Sequence, residues 1–131
     1  MRPIIALFIT VFVLSGCRTD DAARIYANPD RVWLLKELGG APFPAMATLT
    51  FPKAGEIAGE GPCNRYFGAL TAAYPAFTTG PIGSTRMACP NLRAETAFFT
   101  AIESATQAEV FDDTLVLSGS SGLKLVFRPP A

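Results

Sequence analysis

The most extended apolar run stands near the start of the chain. Ile4 to Val13 is interrupted only by Thr10 and follows the short basic Met1-Arg2. A helix needs about 20 apolar residues to cross a bilayer, so this run fits the apolar region of a secretory signal over residues 1–16; a retained short anchor is the alternative. Arg18 to Asp30 is polar with scattered alanines and ends on the turn signal Asn28-Pro29-Asp30. It reads as a tether over residues 17–30. Arg31 to Leu38 is bounded by turn residues on both sides and is expected as a strand, with the lone Trp33 as a core anchor rather than a stacking platform.

Beyond the loop Gly39 to Ala45, Ala47 to Phe51 alternates apolar and polar, which buries one face and wets the other. A Pro52 to Gly55 turn and Glu56 to Gly59 complete a hairpin. Tyr66 to Tyr74 and Ala76 to Ile82 form a second candidate pair broken at Pro75. Leu92, Phe98, Phe99, Ile102 and Ala105 recur at helical spacing, so a helix is expected over about 91–105, with Asn91 as N-cap and Glu95 near the positive end of its dipole. Glu109 to Phe111, Thr114 to Leu117 and Leu123 to Phe127 read as a three-stranded meander. The pattern predicts an α+β domain over residues 31–128: a strongly curved antiparallel sheet of roughly six to eight short strands with one main helix.

Charge and composition narrow what such a domain does. The 131 residues make one domain's worth of chain, with 11 basic and 11 acidic residues and no histidine. The charges are dispersed, so there is no positive face for phosphate tracking, which argues against nucleic acid, and no polybasic segment for lipid headgroups. Without histidine, neither a Ser/His/Asp nor a Cys/His nucleophile system can be assembled. Few soft ligands remain for zinc, so no metal or cofactor is expected. Asp112-Asp113 is a paired-carboxylate candidate, but adjacent acids in a hairpin turn usually face solvent. An enzyme working through carboxylates or lysine is the weakest of the functional readings.

Leu14-Ser15-Gly16-Cys17, at the end of the apolar run, resembles a bacterial lipobox, in which cleavage before the cysteine leaves it as an acylated N-terminus. Two or three acyl chains make an effectively permanent anchor at about 0.8 kcal/mol per buried CH₂. The protein would then meet the lipid bilayer through Cys17, on the periplasmic face of the envelope. Arg18 after the cysteine favours the outer over the inner membrane by resemblance to sorted lipoproteins. With Cys17 lipidated, Cys63 and Cys89 remain as a pair in an oxidising compartment. A disulfide between them closes about 27 residues and contributes roughly 3.5 kcal/mol on chain-entropy grounds; two buried free thiols are the alternative.

Gly59 to Cys89 holds the polar cluster that can form a site. Gly59, Gly61 and Gly68 bracket Cys63-Asn64-Arg65, and glycine's backbone freedom suggests a tight, irregular passage. Asn64 reads first as a turn brace and second as a ligand contact. Arg65 and Arg86 either present paired guanidinium groups to an anion or pair with Glu56, Glu60 or Glu95. Asn64, Arg65, Thr85 and Arg86 are the candidate binding surface.

Trp33-x-Leu35, Thr48-Leu49-Thr50-Phe51, Gly61-Pro62-Cys63-Asn64-Arg65-Tyr66-Phe67-Gly68, Ser84-Thr85-Arg86-Met87-Ala88-Cys89, Glu95-x-x-Phe98, Leu115-x-Leu117 and Leu123-x-Leu125-x-Phe127 follow one another in this order. The series resembles the META domain of the HslJ-like heat-shock lipoproteins over nearly all of 31–128, with Pro62 departing from the small residue expected there. The resemblance implies a small α+β domain of bacterial envelopes, associated with stress response, and implies no catalytic residues. The expected function is therefore a non-enzymatic, lipid-anchored envelope protein that binds or supports an envelope protein or small ligand. The alternative is inhibition of a secreted protease or lysozyme-type hydrolase through the loop around Cys63-Asn64-Arg65.

Overall fold

Alternation drives most of the architecture. Trp33 and Leu35, Leu49 and Phe51, Leu115 and Leu117, and Leu125 and Phe127 are two apart in their strands and all buried, as the period-2 geometry of a strand requires when one face is covered. The computed structural model describes residues 17–131, with side chains from Ala22 onward. The signal read over 1–16 lies outside the described residues, and so does the side chain of Cys17.

The elements in chain order are α1 (Cys17–Tyr26), β1 (Trp33–Leu38), β2 (Ala41–Pro42), β3 (Thr48–Lys53), β4 (Glu56–Glu60), β5 (Arg65–Ala69), β6 (Gly83–Ser84), α2 (Leu92–Ser104), β7 (Gln107–Phe111), β8 (Thr114–Ser118) and β9 (Lys124–Arg128). The class is α+β, as the pattern predicts. The nine strands form one antiparallel sheet in the order β6-β5-β4-β3-β1-β9-β8-β7, with β2 added to β1. Two-residue β2 and β6 raise the count above the expected six to eight, because strands that short leave no periodic signal.

The expected strong curvature is not there: the sheet is an open path and is not strongly curled. Its β7 edge is covered instead by the segment after β5. Phe77 N–H donates to the Thr106 carbonyl, and Ala108 N–H donates to the Pro75 carbonyl. The second hairpin expected over 66–82 gives way for the same reason. Phe77 is drawn completely into the core, its backbone bonds go to the α2–β7 junction, and only Leu70 and Thr79 bridge within the segment. β5 pairs with Gly83–Ser84.

The β3–β4 hairpin forms as expected, except that β3 runs through Pro52 to Lys53. A register shift between Thr50 and Lys53 accommodates the proline, and Gly55 makes the turn at φ +79°. The segment read as a tether over 17–30 begins with a helix, and its Tyr26 is buried. The Tyr26 ring lies 4.3 Å from Phe51 and 5.0 Å from Tyr74, centroid to centroid. Phe98, Ala101 and Ile102 of α2 are buried beneath the sheet, whereas Leu92, assigned to the same stripe from its spacing, is 43 % exposed. Asn91 occupies the N-cap position but makes no side-chain capping bond.

Candidate functional site

Three pieces of chain meet at Asn64: the turn between β4 and β5, the segment after β6, and the first turn of α2. Cys63 and Cys89 form a disulfide with their Cα atoms 5.8 Å apart, tying the first piece to the second. Asn64 is buried, and every polar atom of its side chain is used. Its Nδ2 donates to Glu95 Oε1 at 2.7 Å and to the Met87 carbonyl at 3.1 Å. Its Oδ1 accepts from Met87 N–H at 2.6 Å and from the Thr85 hydroxyl at 3.0 Å. The amide thereby reads the backbone of Met87 as a partner strand would.

Glu95 closes the other side. It is only 4 % exposed, and its Oε2 accepts from the backbone N–H groups of Cys63 and Asn64, both at 2.7 Å. Position matters as well as partners, since the first turn of a helix is where a carboxyl group is best placed in the helix field. Gly61 is required beside it for lack of room: a Cβ there would fall 2.8 Å from Glu95 Oε2. None of Gly59, Gly61 and Gly68 uses the left-handed backbone that glycine permits; Cβ atoms at all three would collide with neighbours. Close approach, rather than the backbone freedom expected from the sequence, is what requires glycine at these three positions.

The candidate surface residues divide. Asn64 and Thr85 are joined in the clamp. Arg65 is exposed and reaches Glu60 at 3.7 Å, with 82 % of its side chain open to solvent. Arg86 is exposed, and no ion pair involves it among the described residues. The two guanidinium groups do not converge on Glu95, whose oxygens are occupied by amide donors. Among the described residues no three His, Cys, Asp or Glu side chains cluster.

Sequence reasoning placed Glu95 only by its helix position and missed the apolar side chains around the clamp. Phe67, Met87 and Leu92 are 61 %, 64 % and 43 % exposed. They border a cleft of about 600 Å³, walled by Ile82 to Ala88 on one side and by Leu92, Thr96 and Phe99 of α2 on the other. The available signal was parity: Tyr66 and Gly68 face inward in β5, which turns Phe67 outward.

The META-domain family model matches residues 27–131. The chain belongs to the META-domain family. Its start at residue 27 adds the turn before β1 to the 31–128 read from the motifs. This META domain is similar to a protein from Burkholderia xenovorans whose NMR structure is solved, with 25 % identity, 83 % of this chain and 88 % of that chain covered, and a TM-score of 0.64. It also shares its fold with a second protein solved by NMR, at 20 % identity and a TM-score of 0.60 over 77 % of this chain and 90 % of that one. No curated protein matches the chain. Among the described residues no helix is long and apolar enough to cross a membrane.

Proposed function

We propose that this META domain is a non-enzymatic binding module of the bacterial envelope, anchored through acylated Cys17 and acting on an envelope partner. One observation carries the binding role. The buried polar groups at the centre of the motif are bonded to each other, and what they hold in place is an exposed apolar surface. A catalytic side chain must keep an atom available for substrate, and Asn64 keeps none. Contiguous exposed apolar patches on a small domain mark interaction sites more often than accidents. The lipobox and the heat-shock lipoprotein resemblance support the envelope location and a stress-related role.

The test is photo-crosslinking in cells from a probe at position 86, with a probe at Glu109 as a remote control. Capture specific to position 86 supports the reading. Hydrolytic activity of the purified protein that disappears on replacing one acidic residue would refute it. Inhibition of a secreted hydrolase draws on the exposed Arg65 beside the disulfide. It predicts that the captured partner is a protease or lysozyme-type enzyme and that Arg65→Ala abolishes capture.

A further inference from the structure

The chain from Gly83 to Ala88, the two-residue strand β6 and the four residues after it, has one side satisfied. Gly83 pairs with Phe67 in β5, Thr85 N–H donates to the Arg65 carbonyl, and Met87 gives both its N–H and its carbonyl to the Asn64 side chain. Backbone polar groups alternate direction along an extended chain. With Gly83, Thr85 and Met87 turned inward, Ser84, Arg86 and Ala88 turn theirs outward. β6 is the terminal strand of the sheet path, so no strand among the described residues meets them. Residue 82 belongs to the outward set, and its N–H already donates to a partner: Glu103 Oε1 of α2 reaches across and accepts it at 2.9 Å. An acceptor on the helix side of this edge therefore bonds it with ordinary geometry. The outward groups border the cleft between this strand and α2, whose helix wall carries Leu92, Thr96 and Phe99.

We propose that this cleft takes an extended peptide segment of a partner protein as an added strand, antiparallel or parallel to Gly83–Ala88 and flanked by α2. This deepens the binding role proposed above and rests on it. Main-chain bonds to an exposed edge supply affinity in this mode, and side-chain pockets supply selectivity. Selectivity here follows from the walls. Phe67, Met87, Leu92 and Phe99 favour apolar side chains, and Arg86, exposed and without an ion pair among the described residues, favours an acidic one. The same arginine argues against a second copy as occupant. Two-fold antiparallel pairing that engages Ser84, Arg86 and Ala88 together sets Ser84 opposite Ala88 and Arg86 opposite its own copy, and like charges facing across strands are destabilising.

Edge strands commonly carry a charge or a proline that merely blocks pairing, and the test separates that from docking. The oxidised protein is titrated with a pool of decapeptides that alternate Val or Leu with Glu, Ser or Lys, and backbone amide exchange is followed by NMR. The expected result is binding by Glu-containing members, with exchange at Ser84, Arg86 and Ala88 slowed about tenfold or more. N-methylating alternate amides of a bound peptide abolishes binding for one set and spares the other. Ala88→Pro, which removes one outward N–H without changing charge, weakens binding about tenfold or more while Tm is kept. Arg86→Glu shifts preference to the Lys-containing members. The inference is overturned if no member binds at 1 mM, if binding ignores N-methylation, or if the same amides become protected by self-association without peptide. A partner crosslinked elsewhere on the surface would leave the binding role standing and sink this inference alone.

Discussion

At the scale of single residues, identical side chains carry opposite duties. Phe98 is completely buried against Tyr66, with ring centroids 5.5 Å apart, while Phe67 is largely exposed. Phe98→Ala is expected to cost about 3–5 kcal/mol in urea unfolding, and Phe67→Ala less than about 0.5 kcal/mol. Equal losses would mean that Phe67 is part of the core. Tyr66 adds a pH signature. Its hydroxyl donates to the Thr48 carbonyl, and burial pushes the phenol far above its ordinary value of 10.0. Burial, followed by the nearby Tyr74, does the same to Tyr26. Because the folded state holds these protons more tightly, their stabilising contribution is intact below the unfolded value near 10. It falls as pH rises above that value, as the unfolded chain releases protons the folded one keeps. Chemical denaturation at pH 9 and pH 11.5 should show the drop, and a Tyr66→Phe variant should show a smaller one. A flat profile would put Tyr66 in water. The inward residues were legible from alternation alone, whereas the tight partners of Glu95 were not, because a carboxyl group's neighbours lie tens of residues away along the chain.

Among the elements, those with sustained periodicity matched their reading closely: α2, the β3–β4 hairpin and the β7–β8–β9 meander. Elements defined by a single long-range contact did not. Phe77 pins the 70–80 segment to the α2–β7 junction, and Tyr26 binds the end of α1 to Phe51. In both cases one buried aromatic outweighs the polar character of its surroundings. Tyr26→Ala should therefore cost about 3 kcal/mol or more, as deletion of a buried aromatic does, and a negligible loss would restore the simple tether. The disulfide acts at the same scale. Cys63 and Cys89 lie 26 positions apart, and replacing both by serine should lower unfolding free energy by about 3.5 kcal/mol. Both cysteines should resist alkylation until reduced, and immediate labelling of the native protein would contradict the bridge.

For the molecule as a whole, the sheet, α2 and the disulfide fix an edge and a cleft at one end. The polar motif that drew attention in the sequence is the brace of that end. What it braces was hidden, because exposed apolar side chains resemble core positions until register is known. The proposed location has its own check: mass spectrometry should find Cys17 acylated and residues 1–16 removed, and Cys17→Ser should leave the protein in the aqueous envelope fraction. An intact, unmodified N-terminus would refute the anchor. The central claim, that Asn64 holds the fold rather than a ligand, is tested most directly by urea unfolding of oxidised Asn64→Ala. Losing that side chain strands the Met87 backbone groups and part of Glu95, so the expected cost is about 3 kcal/mol or more. A variant as stable as the original would contradict the account and return Asn64 to the role of a ligand contact.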